Sequence, residues 1–202
     1  MAGLVITCAM LAIFLDIETT GLDPFKHHAI DVAIAIMDIA TKEIKGSYQS
    51  LIKLSKENLF LADPESLKIN GYTFEEISQG KDLKTVHAEI VQFLESFGIK
   101  RKEAVFICQN PGFDRGFFSQ LVDVYTQEKL NWPYHWLDLA SMYFARLHKK
   151  CRDEKKPFPN RLSFSKNDIA KEYGLKEEEM PHKAVNGVNH LIACYLAVHS
   201  GY

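Results

Sequence analysis

The chain has 202 residues, which suits one well-cored domain and is short for several. A hydrophobic share of 47% and a charged share of 25% fit a globular protein, not a disordered or fibrous one. The formal net charge of −2 excludes global attraction to nucleic acid or an anionic membrane, so any such binding needs a local patch.

Residues 1–9 precede the first natural strand and read as an N-terminal extension, with residues 10–202 as a single domain. The uncharged start is too short to span a bilayer and lacks the basic region of a secretory signal, so no membrane role is expected. Met10–Asp16 is wholly apolar, as in a strand covered on both faces. Ala29–Met37 and Glu43–Lys53 are two further strands, joined across Ile39–Lys42 as a hairpin. Short helical pieces are expected at 64–69 and 73–79. A longer helix at about 82–97 carries Val86, Ile90, Phe93, Leu94 and Phe97 on one face.

Val105–Cys108 is another short buried strand. Phe113 to about Leu130 is helical, with Phe117, Leu121, Val124 and Tyr125 in register. Trp136–Leu137 is a last strand, followed by a helix at 138–149 and a loop at 149–166. Ser165 is placed to cap a helix at 165–173, and a final helix spans 183–199 with Val185, Val188, Ile192, Tyr195 and His199 in its stripe. The order predicts one α/β domain, with hairpin-linked strands first and strands alternating with helices after. Cys8, Cys108, Cys151 and Cys194 show no paired or zinc-type spacing. They read as core filler in a reducing, cytoplasmic setting.

Three segments carry chemistry. In Asp16-Ile17-Glu18 the carboxylates lie two apart on a strand and point to one face. They cannot both ionise cheaply without cations between them, and hard oxygen ligands select Mg²⁺ or Mn²⁺. Thr19-Thr20-Gly21 makes a tight turn whose N–H groups could meet a ribose hydroxyl or a phosphate. Asn110-Pro111-Gly112-Phe113-Asp114 follows the second buried strand, and an aspartate there also suits a helix N-terminus. His182 opens the last helix and has the pKa range of a general base.

Together, Asp16/Glu18 with Thr-Thr-Gly, Asn-x-x-Phe-Asp at 110–114 and His182-x-Ala184 resemble the three motifs of the DEDDh exonuclease family. The likeness runs from about Leu11 to the end and includes Ile69-Asn70-Gly71, Asp138-Leu139-Ala140 and Leu162 to Gly174. It implies a ribonuclease-H-like fold with a mixed five-stranded sheet flanked by helices. It implies 3′→5′ exonucleolysis of single-stranded DNA or RNA ends through two Mg²⁺ or Mn²⁺ ions. On this resemblance Asp16, Glu18 and Asp114 bind metal, and His182 is the base. Thr19, Thr20, Gly21, Leu22, Asn110 and Phe113 surround the terminal nucleotides.

Gly187 stands where the family has its fourth acidic residue. A mid-helix glycine costs roughly 1 kcal/mol relative to alanine, so local structure gives no reason for it, and one of the two ions should bind weakly. His190, one turn on, is read as helix surface, with substitution as a metal ligand the lesser reading. Gln109 is a second departure, at a position where the family often has histidine. The stretch Lys149–Lys166 carries seven Lys/Arg against two acidic residues. It reads as a solvated loop first and as a phosphate-tracking flap second. The expected function is an active exonuclease. The alternative is a weakened relative that binds nucleic-acid ends or a protein partner. Polymerase association gets no support from the residues, since the chain stops just after its last helix.

Overall fold

The computed structural model describes residues 10–200, so the expected extension at 1–9 and Cys8 lie outside the described residues. The strands are β1 (Leu11–Thr19), β2 (Ala29–Asp38), β3 (Ile44–Leu51), β4 (Ala104–Cys108) and β5 (Trp136–Asp138). They form one sheet in the order β3-β2-β1-β4-β5. β1–β2 and β2–β3 are antiparallel, while β1–β4 and β4–β5 are parallel. Asp38 closes the β2–β3 hairpin by accepting from the N–H groups of Ala40 and Thr41.

The helices are α1 (Lys56–Phe60), α2 (Pro64–Asn70), α3 (Phe74–Ser78), α4 (Leu83–Ser96), α5 (Pro111–Leu121), α6 (Val124–Lys129), α7 (Leu139–Asp153), α8 (Lys166–Glu172) and α9 (Ala184–His199). Alternation along β1 splits the core. Ile13, Leu15 and Ile17 pack with Val86, Ile90 and Leu94 of α4 and with Phe117, Phe118 and Leu121 of α5. Ala12 and Phe14 pack on the other face with Leu139, Ile169, Val188 and Leu191, from α7, α8 and α9. Asp16 and Glu18 share the parity of Ala12 and Phe14, which sends them to the α9 side. Each large side chain buried in these layers contributes about 1.5–3 kcal/mol, so the strand that carries both carboxylates is held firmly on both faces.

Three expectations change. The helix expected from Phe113 to Leu130 is two: α5 stops at Leu121, and Asp123 caps α6 by accepting from the N–H groups of Tyr125 and Thr126. Val124 and Tyr125 therefore face solvent instead of continuing the apolar stripe. α7 runs on to Asp153, so the start of the expected 149–166 loop is helical. The buried face of α9 is Ala184, Gly187, Val188, Leu191, Cys194, Tyr195 and Val198. Val185 and Ile192 sit at its partly buried edge. The small residues let α9 lie close to β1, and they were not visible as hydrophobic signal. Among the described residues no helix is long and apolar enough to cross a membrane.

Candidate active site

β1 ends in a tied knot. Thr20 N–H donates to His28 O at 2.9 Å, and Thr20 Oγ1 accepts from His28 N–H at 2.9 Å. Thr19 Oγ1 donates to Gly21 O at 2.8 Å. A Cβ on Gly21 would lie 2.4 Å from the His27 ring, so any side chain there would have to push that ring aside. The N–H of Thr20 is thus consumed inside the protein and that of Gly21 points at Thr19 Oγ1, at 3.4 Å. This corrects the expectation that both are open to a ligand. Thr19 and Thr20 are buried and shape the turn, while Leu22 beside them is 76% exposed.

α2 latches onto this knot. Asn70 Nδ2 donates to Thr19 O at 3.0 Å, and Ile69 O accepts from His182 N–H at 3.0 Å. One short segment therefore fixes both the first motif and the histidine loop. Asp31 does the same from β2. It lies opposite Glu18 in register, is fully buried, and accepts from Tyr72 Oη at 2.7 Å and from Ala184 N–H at 3.0 Å. Asp31 escaped the sequence reading, although a lone aspartate in an apolar strand was its signal.

Asp114 lies buried in the first turn of α5. The chain enters that helix through Asn110, which has a left-handed backbone (φ +56°) and is exposed. Asn110 N–H donates to Asp138 Oδ1 at 3.1 Å, and Asp138 also caps α7. Gln109 Nε2 donates to Phe164 O at 2.6 Å, joining this strand end to the segment before α8. Phe113 is half-buried, with its ring 4.9 Å from that of Phe117.

The charges at the centre were not foreseen. Lys166, at the start of α8, places Nζ 2.9 Å from Asp16 Oδ1 and 3.0 Å from Glu178 Oε2. It belongs to the basic stretch by sequence, yet its side chain is only 13% exposed and points inward. Other cations of that stretch are paired: Lys149 and Arg152 with Asp153, Lys150 with Glu172, and Lys156 with Glu154. Glu178 is the second omission. Its place in Glu177-Glu178-Glu179 looks like a solvated run, but its side chain is 2% exposed and Oε1 has no partner. Ligand atoms of Glu18, Glu178 and His182 all lie within 4.8 Å of one another.

His190 stands behind Glu178. Nε2 contacts Lys176 O at 3.0 Å, which requires the proton on Nε2, and Nδ1 is 3.7 Å from Glu178 Oε2. With a side chain 9% exposed, His190 is not helix surface, which corrects that expectation.

Gly187 also reads differently in three dimensions. A Cβ there would lie 2.1 Å from Asp16 Oδ2. Any side chain at 187 would have to push the Asp16 carboxylate aside, a tertiary reason for glycine that the helix alone does not supply. Lys166 pins Asp16 in that position.

Too many negative charges face too few positive ones. Burial, with Asp16 second, pushes the Glu18 carboxyl up to about 8. Burial raises Asp16 above the ordinary aspartate value despite Lys166, and burial then Asp16 raise Asp114 well above it. Burial alone would lower the Lys166 ammonium, but Asp16 and Glu178 outweigh it and hold it above the ordinary lysine value. Four carboxylates share one ammonium, and Glu178 keeps a buried oxygen without a donor. That donor set fits a hard divalent cation.

A mixed sheet with acidic side chains at the carboxyl ends of its central parallel strands defines a ribonuclease-H-like fold. The chain belongs to the Exonuclease (RNase_T) family, whose model matches residues 13–193. This agrees with the DEDDh motifs read in the sequence. Among curated proteins it is 32% identical over 106 residues to the PolC-type DNA polymerase III of Thermotoga petrophila, and 31% over 105 residues to that of Thermotoga maritima. These matches cover 52% of this chain and 7% of each polymerase. Among solved structures, E. coli exonuclease I with a dT13 oligonucleotide has a TM-score of 0.73 at 20% identity, covering 94% of this chain and 41% of that one. The nuclease domain of 3′hExo, a DEDDh family member bound to rAMP, has a TM-score of 0.66 at 12% identity, covering 94% and 92%. Cell-death related nuclease 4 has 0.68 at 14%, covering 93% and 62%. The chain thus spans less than half of exonuclease I and a small part of the polymerases it matches.

Proposed function

We propose that this domain is a divalent-metal-dependent 3′→5′ exonuclease that removes single nucleotides from single-stranded DNA or RNA. The observation that carries the reading is the cluster of Glu18, Glu178 and His182, whose ligand atoms lie within 4.8 Å of one another, at the end of the strand that also carries Asp16. Asp16, Glu18 and Asp114 would hold the metal, Mg²⁺ or Mn²⁺. A bound divalent cation lowers the pKa of a water and offsets charge on the departing oxygen.

The chain's own residues do the rest. His182, held by Ile69 O, takes the proton of the attacking water. The water oxygen forms the new bond to phosphorus, the bond to the 3′-oxygen breaks, and that oxygen takes up a proton. A nucleoside 5′-monophosphate leaves. Leu22 and Phe25, 76% and 98% exposed beside the first motif, offer apolar surface on which unstacked bases can rest. A reducing, cytoplasmic setting, expected from the scattered cysteines of the sequence, is part of the same proposal. The likeness to PolC-type polymerases makes a polymerase partner a further reading.

A second reading, an end-binding protein that cleaves poorly, is favoured by one observation: Lys166 already holds Asp16. A single strand labelled at either end separates the two. The exonuclease reading expects a ladder of shortened 5′-labelled products with Mn²⁺ or Mg²⁺ and immediate release of label from the 3′ end. Chelation should abolish both. A strand that binds but is not shortened in either metal would establish the second reading.

A further inference from the structure

We propose that Glu178 supplies the carboxylate that Gly187 does not. In this reading Glu178 and Glu18 hold one divalent cation beside His182, while the Lys166 ammonium occupies the other half of the site against Asp16. The inference rests on the nuclease reading and specifies its metal site.

Three observations carry it. The first is steric: no side chain fits at 187 while Asp16 holds its place, because a Cβ would sit 2.1 Å from Asp16 Oδ2. A fourth acidic group has to come from elsewhere. The second is an orphan. Glu178 is almost fully buried, one oxygen is taken by Lys166 at 3.0 Å, and Oε1 has no partner. A buried carboxylate oxygen without a donor is costly unless a cation meets it. The third is spacing. Ligand atoms of Glu18, Glu178 and His182 lie within 4.8 Å of one another, and two oxygens on opposite sides of a Mg²⁺-sized ion are about 4.2 Å apart. The pocket closes on such an ion with small side-chain adjustments.

The surroundings fix Glu178 for this role. Its N–H donates to Asn167 Oδ1 at 2.8 Å, tying it to α8 next to Lys166. His190 backs the carboxylate from α9 and is itself held by Lys176 O. Position 178 thus reaches the pocket from the loop before the histidine, where the family pattern reaches it from the helix after. Charge supports one ion: once ionised around a cation, Asp16, Glu18, Asp114 and Glu178 against Lys166 would leave an excess of three negative charges. A divalent cation offsets most of it.

Titration with Mn²⁺, following the free ion by electron paramagnetic resonance, tests the assignment without activity. Wild type is expected to bind one Mn²⁺ tightly. Glu178→Gln, nearly the same shape, is expected to weaken it by at least 10–100-fold, since losses outside the ligand shell already cost that much. Glu178→Asp keeps the charge and should retain part of the affinity, which guards against a folding defect in the glutamine variant. His182→Ala should keep the ion and lose trimming. Unchanged Mn²⁺ affinity in Glu178→Gln, with wild-type thermal stability, overturns the proposal and makes Glu178 only a counter-ion for Lys166. Loss of Mn²⁺ binding in Glu178→Gln in a protein that never trims would leave the site standing and defeat the nuclease reading instead.

Discussion

The two halves of the acidic pocket differ in how they are neutralised. On the Asp16 side a lysine from α8 is built in at 2.9 Å and a glycine on α9 makes room for the pair. On the Glu18 side Glu178 shares that lysine through one oxygen at 3.0 Å, while its other oxygen has no partner among the described residues and lies with Glu18 near a histidine. The same excess of charge is met by a covalently attached ammonium in one half and left for a diffusible ion in the other. A fixed ammonium cannot activate a water as a metal does, but it makes the fold less dependent on bound ions.

The largest effect should come from the half that needs an ion. Asp114→Asn removes a proposed metal ligand of the nuclease reading, and trimming of a 5′-labelled strand should fall by on the order of 100-fold or more. Activity within a few-fold of wild type would remove Asp114 from the site.

The built-in half is broken most directly by Lys166→Met. Two buried carboxylates then lose their partner, and breaking a buried pair costs about 3–5 kcal/mol. Thermal melting should show a large loss in chelator and partial recovery in Mn²⁺. A melting temperature unmoved in chelator would mean that the bridges at 2.9 and 3.0 Å do not stabilise the fold.

Gly187→Asp sharpens the comparison from the other side. The new side chain meets Asp16, so the variant should be less stable by about 1–3 kcal/mol, as for other overpacked sites. It should trim no faster than wild type. A gain in trimming would show that Asp16 leaves Lys166 easily and that the glycine is a simple loss.

A smaller effect is expected from pH in metal-free protein. Glu18, raised from 4.5 to about 8 by burial and by Asp16, stays protonated when folded at pH values where the unfolded residue has ionised. Such a group supports the fold fully below 4.5, and its contribution fades as pH climbs through about 8. Asp16, Lys166, Glu178 and Asp31 are the charged groups that act on it. Metal-free stability should decline over that window and Glu18→Gln should flatten the profile. Identical profiles for the two proteins would refute the shift.

Much of this molecule is legible in the chain. The apolar runs placed β2 and β4 to within a residue, because a buried strand admits little else, whereas β1 runs three residues past its expected end at Asp16. Asp16, Glu18, Asp114 and His182 stood out by their spacing. What stayed hidden depends on direction and not on identity. Lys166 sits in a basic stretch and Glu178 in an acidic one, and nothing local says that one member of each turns inward. That follows from the packing of α8 and α9 on β1. The threonines of the first motif were read as facing a ligand, yet His28 and Gly21 occupy their hydrogen-bonding groups. Gly187 looked like an absence until the position of Asp16 gave it a cause.

The number of tightly bound Mn²⁺ ions per wild-type chain decides most directly whether Lys166 fills half of the pocket. One tight ion is the expected result, held by the half that contains Glu18. Two tight ions of similar affinity would mean that the ammonium yields its place to metal and that the two halves are alike.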